Sequence, residues 1–145
     1  MSKGGALMII RVSTDNIVSV HEFPDGSHTE QNNALKELIG CDIYEHVMPR
    51  GLYTFLGHSR DVKSGKCVGM LVDEEGLLKT SSKINFIGTH LYFTYDMPSP
   101  IVGNILFVGE KYEDDGIEFC DLDEDVCKRL LSQLKNIIEF AKEEN

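Results

Sequence analysis

The chain has 145 residues, 41% hydrophobic and 26% charged, the composition of a globular domain rather than of a disordered one. Fourteen basic residues against twenty-four acidic ones leave a net charge of −10, a field that repels nucleic-acid backbones and anionic membrane surfaces and so excludes generic nucleic-acid binding. A domain of this length buries roughly 70% of the surface its unfolded chain exposes, and needs neither disulfide nor metal to hold a core.

Met1 to Gly5 (MSKGG) is too short and polar for a signal sequence; it is expected to be disordered or partly a remnant of cloning. Ala6 to Ser13 (ALMIIRVS) predicts a strand, Asp15-Asn16 a turn, and Ile17 to Phe23 (IVSVHEF) the returning strand. Alternation puts Ile17, Ser19, His21 and Phe23 on one face of that strand, with Val18, Val20 and Glu22 on the other. After Pro24-Asp25-Gly26, Ser27-x-x-Glu30 has capping-box spacing for a helix with the stripe Ala34, Leu35, Leu38 and Ile39, and Gly40 as its stop.

Ile43 to Met48 predicts a third strand, Pro49-Arg50-Gly51 a turn, and Leu52 to Leu56 (LYTFL) a further strand. Gly57 to Lys66 (GHSRDVKSGK) lacks any apolar period and is expected to be a loop. Cys67 to Val72 (CVGMLV) predicts a buried strand, with a turn at Asp73 to Gly76. Ser81 to Phe93 fits either a short helix or an irregular segment, and Pro98 and Pro100 imply an extended connector. Ile101 to Val108 (IVGNILFV) predicts a second core strand, in which Gly103 marks a bulge or a close backbone approach. Glu110 to Gly116 is expected to be an acidic loop. Asp121-x-x-Glu124 is spaced as a cap for a last helix whose stripe is Val126, Leu130, Leu134, Ile137, Ile138 and Ala141. The expected fold is a single α+β domain spanning residues 1–145, with an antiparallel or mixed sheet packed by two main helices, the C-terminal one amphipathic. Leu71, Ile105, Phe107 and Leu134 are its predicted core.

Chemical motifs are missing. Gly65-Lys66 fails as a phosphate loop, because Gly57 lies eight residues before Gly65 and Cys67 follows the lysine. His21, His28, His46, His58 and His90 fit no metalloprotease or zinc-finger spacing, so no metal site is assigned. Cys41, Cys67, Cys120 and Cys127 form no C-x-x-C pair and have apolar neighbours, as structural thiols do. The carboxylates of Asp73 to Glu75 and Glu113 to Asp115 miss calcium-loop spacing and are expected to be solvated turns. No catalytic residue or cofactor is assigned. No apolar run reaches the ~18 residues of a membrane span, and reduced thiols suit a cytoplasmic setting.

One contrast in charge remains. Arg50, His58, Arg60, Lys63 and Lys66 gather positive groups near Tyr53 and Phe55 in an otherwise negative chain. Arginine pairs with phosphate through two hydrogen bonds and an aromatic face stacks on a base. Arg50, Tyr53, His58, Arg60 and Lys66 are thus the candidate ligand-binding residues for a phosphate-bearing nucleotide, against the plainer reading of a polar hairpin loop.

Met70-Leu71-Val72-Asp73-Glu74-Glu75-Gly76 followed by Leu78-Lys79 and Asn85, and Ile101-x-Gly103-Asn104-x-Leu106-Phe107-Val108-Gly109 followed by Asp115-Gly116, resemble the family catalogued as domain of unknown function thirty-eight forty-six. Ile10-Arg11-Val12 and Leu38-Ile39-Gly40 are compatible with it. The resemblance implies an accessory protein of a phage, plasmid or integrated element, working in the cytoplasm of the host cell, and provides no catalytic residue. In that setting two routes of counter-defence suit the sequence: sequestering a (cyclic) nucleotide signal without cleaving it, as a small homo-oligomer, or blocking a host defence protein through an acidic surface that imitates nucleic acid. A metabolic enzyme is the least supported class.

Overall fold

A computed structural model describes residues 8–52, 67–79, 83–92 and 100–143. The fold is α+β, built on a six-stranded antiparallel sheet. In chain order the elements are β1 (Ile9–Val12), β2 (Val18–His21), α1 (His28–Ile39), β3 (Tyr44–Val47), β4 (Cys67–Asp73), a 3-10 turn (Gly76–Leu78), α2 (Phe86–Tyr92), β5 (Ile105–Glu113), β6 (Gly116–Cys120) and α3 (Glu124–Glu143). The sheet runs β2-β1-β5-β4-β3, and β6 pairs with the second half of β5. Ile10 faces Phe107 across β1 and β5, whereas Glu110 faces Phe119 across β5 and β6. β1 and β6 therefore lie end to end along one side of β5, and Leu122 N–H joins them by donating to the Met8 carbonyl.

Helices cover both faces of the sheet. Ile10, Val12, Val68, Met70, Ile105 and Phe107 pack beneath α2 and α3, where Val126, Leu130 and Leu134 form the buried stripe of α3. Ile9, Leu71, Leu106 and Val108 pack beneath Leu35 and Ile39 of α1. Side chains alternate along a strand, so a strand covered on both sides must be apolar at every position. This is why CVGMLV and ILFV read as unbroken hydrophobic runs. Leu71, Ile105, Phe107 and Leu134 are all fully buried, as predicted.

Local signals set the ends of α1. The Ser27 side chain accepts from Glu30 N–H, and the Glu30 carboxylate accepts from Ser27 N–H. Gly40, at φ 84°, ends the helix in the left-handed region that only glycine enters at little cost. At α3 the predicted cap is two residues early: Asp123, not Asp121, accepts from Val126 N–H. Asp121 instead accepts from Phe23 N–H, tying the start of α3 to the end of β2.

Three further expectations are corrected. Residues 50–52 are helical, so Pro49-Arg50-Gly51 does not turn one strand into another; proline's fixed φ suits a helical first turn, and Leu52 is buried in the core. Glu110 to Glu113 belongs to β5, and only Asp114-Asp115 turns before β6, so the acidic loop is a hairpin. Asp73 is not part of a solvated turn: its side chain is only 6% exposed and meets Lys79 at 2.6 Å. The open choice over Ser81 to Phe93 resolves into helix α2 within its described residues. β5 begins at Ile105, because Gly103 bends the backbone at φ 89° and Val102 makes only an isolated bridge to Ile84. Residues 1–7, including the expected disordered leader, lie outside the described residues, as do Tyr53 to Leu56 of the proposed LYTFL strand and the loop to Lys66.

Candidate functional site

Of the residues chosen from sequence, Arg50 is exposed at the start of the helical turn after β3. Tyr53, His58, Arg60 and Lys66 lie outside the described residues.

A well-formed concavity lies elsewhere. A groove of about 620 Å³ separates β6 from the segment linking β2 to α1. Ile117, Glu118, Phe119, Cys120 and Asp121 form one wall, and Phe23, Pro24, Asp25 and Gly26 form the other. Tyr44, Gln31 and Asn32 line it from the α1 side. Tyr44 donates to Asn32 Oδ1 at 2.6 Å, which fixes both side chains, and its ring meets Phe119 edge-on at 6.2 Å. Asp25, Glu118 and Asp121 contribute carboxylates, opposed by Lys111 and by His28, which lies 3.7 Å from Glu118. Three carboxylates against one lysine leave the groove acidic, like the chain as a whole.

Beside Phe119 a buried glutamate meets a partly exposed histidine. Glu110 is 2% exposed, and its Oε2 meets His46 Nε2 at 2.5 Å. The His46 ring packs edge-on against Phe119 at 5.0 Å. A buried carboxylate without a partner would be costly, and the imidazole meets that need from β3. Gly69 of β4 makes the space: a Cβ there would sit 2.7 Å from His46 Nε2 and 2.8 Å from Glu110 Oε2. The couple thus props Phe119 against the groove.

Cys120 is the groove's one thiol, and burial, with the nearby carboxylates of Asp121 and Glu110 adding to it, outweighs Lys111 to raise the Cys120 pKa. A nucleophilic cysteine needs the opposite shift. Aromatic faces, amides, carboxylates, the His28 imidazole and the Lys111 amine make up the rest of the lining.

A second polar cluster occupies the other end of the sheet. Asn85 Nδ2 donates to the Val12 and Gly103 carbonyls, and its Oδ1 accepts from Gly88 N–H at the start of α2. Asn104 accepts from Thr14 N–H and donates to the Ile39 carbonyl, while Arg11 Nε donates to the Leu38 carbonyl. Asp73 accepts from Glu75 N–H and pairs with Lys79. Arg11, Asp73, Asn85 and Asn104 therefore help to knot β1, β4, β5, α1 and α2 together. A shallow cleft of about 420 Å³ lies over this knot, lined by Thr14, Asp73, Lys79, Lys83 and Asn104 among others.

No family model, curated protein or solved structure matches the chain significantly. Among the described residues no helix is long and apolar enough to cross a membrane, and no group of three or more metal-ligating side chains occurs.

Sequence reasoning missed the groove because it missed β6. The signal was present: Asp114-Asp115-Gly116 is turn chemistry, and Ile117 and Phe119 alternate with Glu118. The density of acids masked it. Nothing in the sequence joined His46 to Glu110, 64 residues apart.

Proposed function

We propose that this protein works by capture rather than catalysis, as an accessory protein of a phage or other mobile element that binds and blocks a host defence protein through the acidic groove. The observation that carries this reading is the groove itself, with aromatic walls, fixed amides and three carboxylates against one lysine. The lining is mostly polar, with the rings of Phe23, Tyr44 and Phe119 set among charged and amide groups, which suits a charged protein surface better than an apolar small molecule. Charge complementarity would steer a basic partner toward a chain of net charge −10 and reject nucleic acid. The test is stoichiometric inhibition of purified defence proteins by the wild-type chain and by an Asp25→Lys, Glu118→Lys double variant. Inhibition lost in the variant supports the reading; equal inhibition by both refutes it.

Sequestration of a phosphate-bearing nucleotide is the second reading. It is favoured by the cleft that brings Lys79 and Lys83 beside Thr14 and Asn104, together with the basic stretch of Arg50, His58, Arg60 and Lys66 near Tyr53. Lys79 is already held by Asp73, so Lys83 would supply the uncommitted charge. Calorimetric titration with cyclic and linear nucleotides, followed by recovery of the ligand, tests it. Micromolar binding with intact ligand is the expected result, and absence of binding below about millimolar, roughly −4 kcal/mol, would discard it.

A further inference from the structure

We infer that the groove receives its partner as an added strand: an extended, basic segment of the partner protein pairs with the outer edge of β6 and lengthens the sheet. The inference rests on the capture reading and specifies how capture occurs.

Three observations lead to it. First, among the described residues β6 pairs only with β5, so its other edge presents backbone donors and acceptors. Second, the groove meets that edge rather than one face. Consecutive side chains of a strand point to opposite faces, yet residues 117 through 121 all line the groove, as happens when a cavity runs along a strand edge. Third, the charges around it have one predominant sign. Asp25 stands on one wall and Glu118 and Asp121 on the other, with Asp114 and Asp115 exposed at the tip of the β5–β6 hairpin. Lys111 and His28 offset this only in part.

Edges left open in soluble proteins are commonly guarded by charge or by a covering element. Here the guarding charges are carboxylates, which repel a second copy of this acidic chain and attract lysine and arginine. In strand addition, main-chain hydrogen bonds supply affinity and pockets for alternate side chains supply specificity. The half-buried rings of Phe23, Tyr44 and Phe119 offer apolar contacts for every second residue of the incoming segment, and the carboxylates meet the basic residues between them.

The experiment is selection from a displayed library of random dodecapeptides on the intact chain, followed by amide hydrogen exchange with the selected peptides. Basic peptides alternating apolar and cationic residues should be enriched. They should slow exchange at Gly116 to Cys120, and N-methylation of alternate peptide amides should weaken them at least tenfold. Enrichment of acidic or neutral peptides, or no enrichment over the Asp25→Lys, Glu118→Lys variant, overturns the inference. Exchange at β6 unchanged in the complex with a bound basic peptide overturns strand addition alone. Failure of the capture reading is read separately, from inhibition that survives the same double variant.

Discussion

The two ends of the sheet handle polar groups in opposite ways. At the end where β1 stops and β5 starts, Asn85, Asn104, Arg11 and Asp73 spend their hydrogen bonds on the chain's own backbone and on Lys79. At the β6 end, Asp25, Glu118 and the amide of Gln31 face an open groove, with Asn32 held beside them by Tyr44. A polar cluster that satisfies itself has little left for a ligand, whereas one aimed into a concavity has that capacity still in hand. The motif residues that stand out in the sequence belong to the first kind, and the contacts they make are those that hold the fold together.

The comparison breaks first at Asn85. Its side chain caps α2 and holds the buried Val12 carbonyl and the part-buried Gly103 carbonyl. Asn85→Ala should lose about 1 kcal/mol for the cap and about 1–3 kcal/mol for the buried Val12 carbonyl left without its donor, about 2–4 kcal/mol in urea unfolding, with a smaller addition from the part-buried Gly103 carbonyl. Asn85→Asp keeps the acceptor for Gly88 N–H but buries a carboxylate against two carbonyl oxygens, and at neutral pH should be no more stable than alanine. Equal stability of all three proteins would show that the knot does not hold the sheet.

Gly69→Ala tests the prop beneath the groove. The added methyl must displace His46 or Glu110, both of which approach it within 3 Å. Crowding of this kind costs about 1–3 kcal/mol, and Phe119 should shift with His46, changing the groove as well as the stability. A melting temperature and partner affinity both unchanged would mean that the couple relaxes freely.

Much of the fold was legible because its signals are local. The capping box at Ser27 and Glu30, the glycine stop at Gly40 and the stripe of α3 need only neighbouring residues, and the runs in β4 and β5 declare burial on both faces. The site was not legible in the same way. Phe23, Tyr44 and Phe119 come from three separate segments, and their meeting depends on β6 taking its place beyond β1 on β5. Asp121 shows how local spacing misleads: it stands three residues before Glu124 as a cap would, but its carboxylate is used across the fold on Phe23 N–H.

Alkaline pH should weaken the whole fold by a smaller amount. Burial is the first cause of the raised pKa of Cys41, Cys120, Cys127 and Tyr44, while the hydrogen bond to Asp73 is the first cause for Lys79. In each case the folded state holds its proton more tightly than the unfolded state does. Stability is therefore complete below the ordinary thiol value of 9.0 and declines as pH rises above it, as the unfolded chain gives up protons that the folded one retains. A urea midpoint that rises between pH 9 and pH 10.5 would contradict these assignments.

The smallest expected effect on stability is the most telling for the groove. Glu118 is about half exposed on the outer strand, and His28, its partner at 3.7 Å, is largely solvated. An exposed pair of this kind contributes about 0–1 kcal/mol, and surface substitutions away from the core usually stay within about ±0.5 kcal/mol. Glu118→Lys should therefore leave the melting temperature nearly unchanged. The same change reverses one of three carboxylates facing the groove, and should weaken a basic partner by at least tenfold, an effect that added salt would shrink because it screens the attraction already. Asp114→Lys, at the exposed hairpin tip and outside the groove lining, is the control for net charge. If both variants lose the same affinity, the partner senses only the overall field of the chain. If Glu118→Lys alone loses it, recognition lies in the groove beside β6.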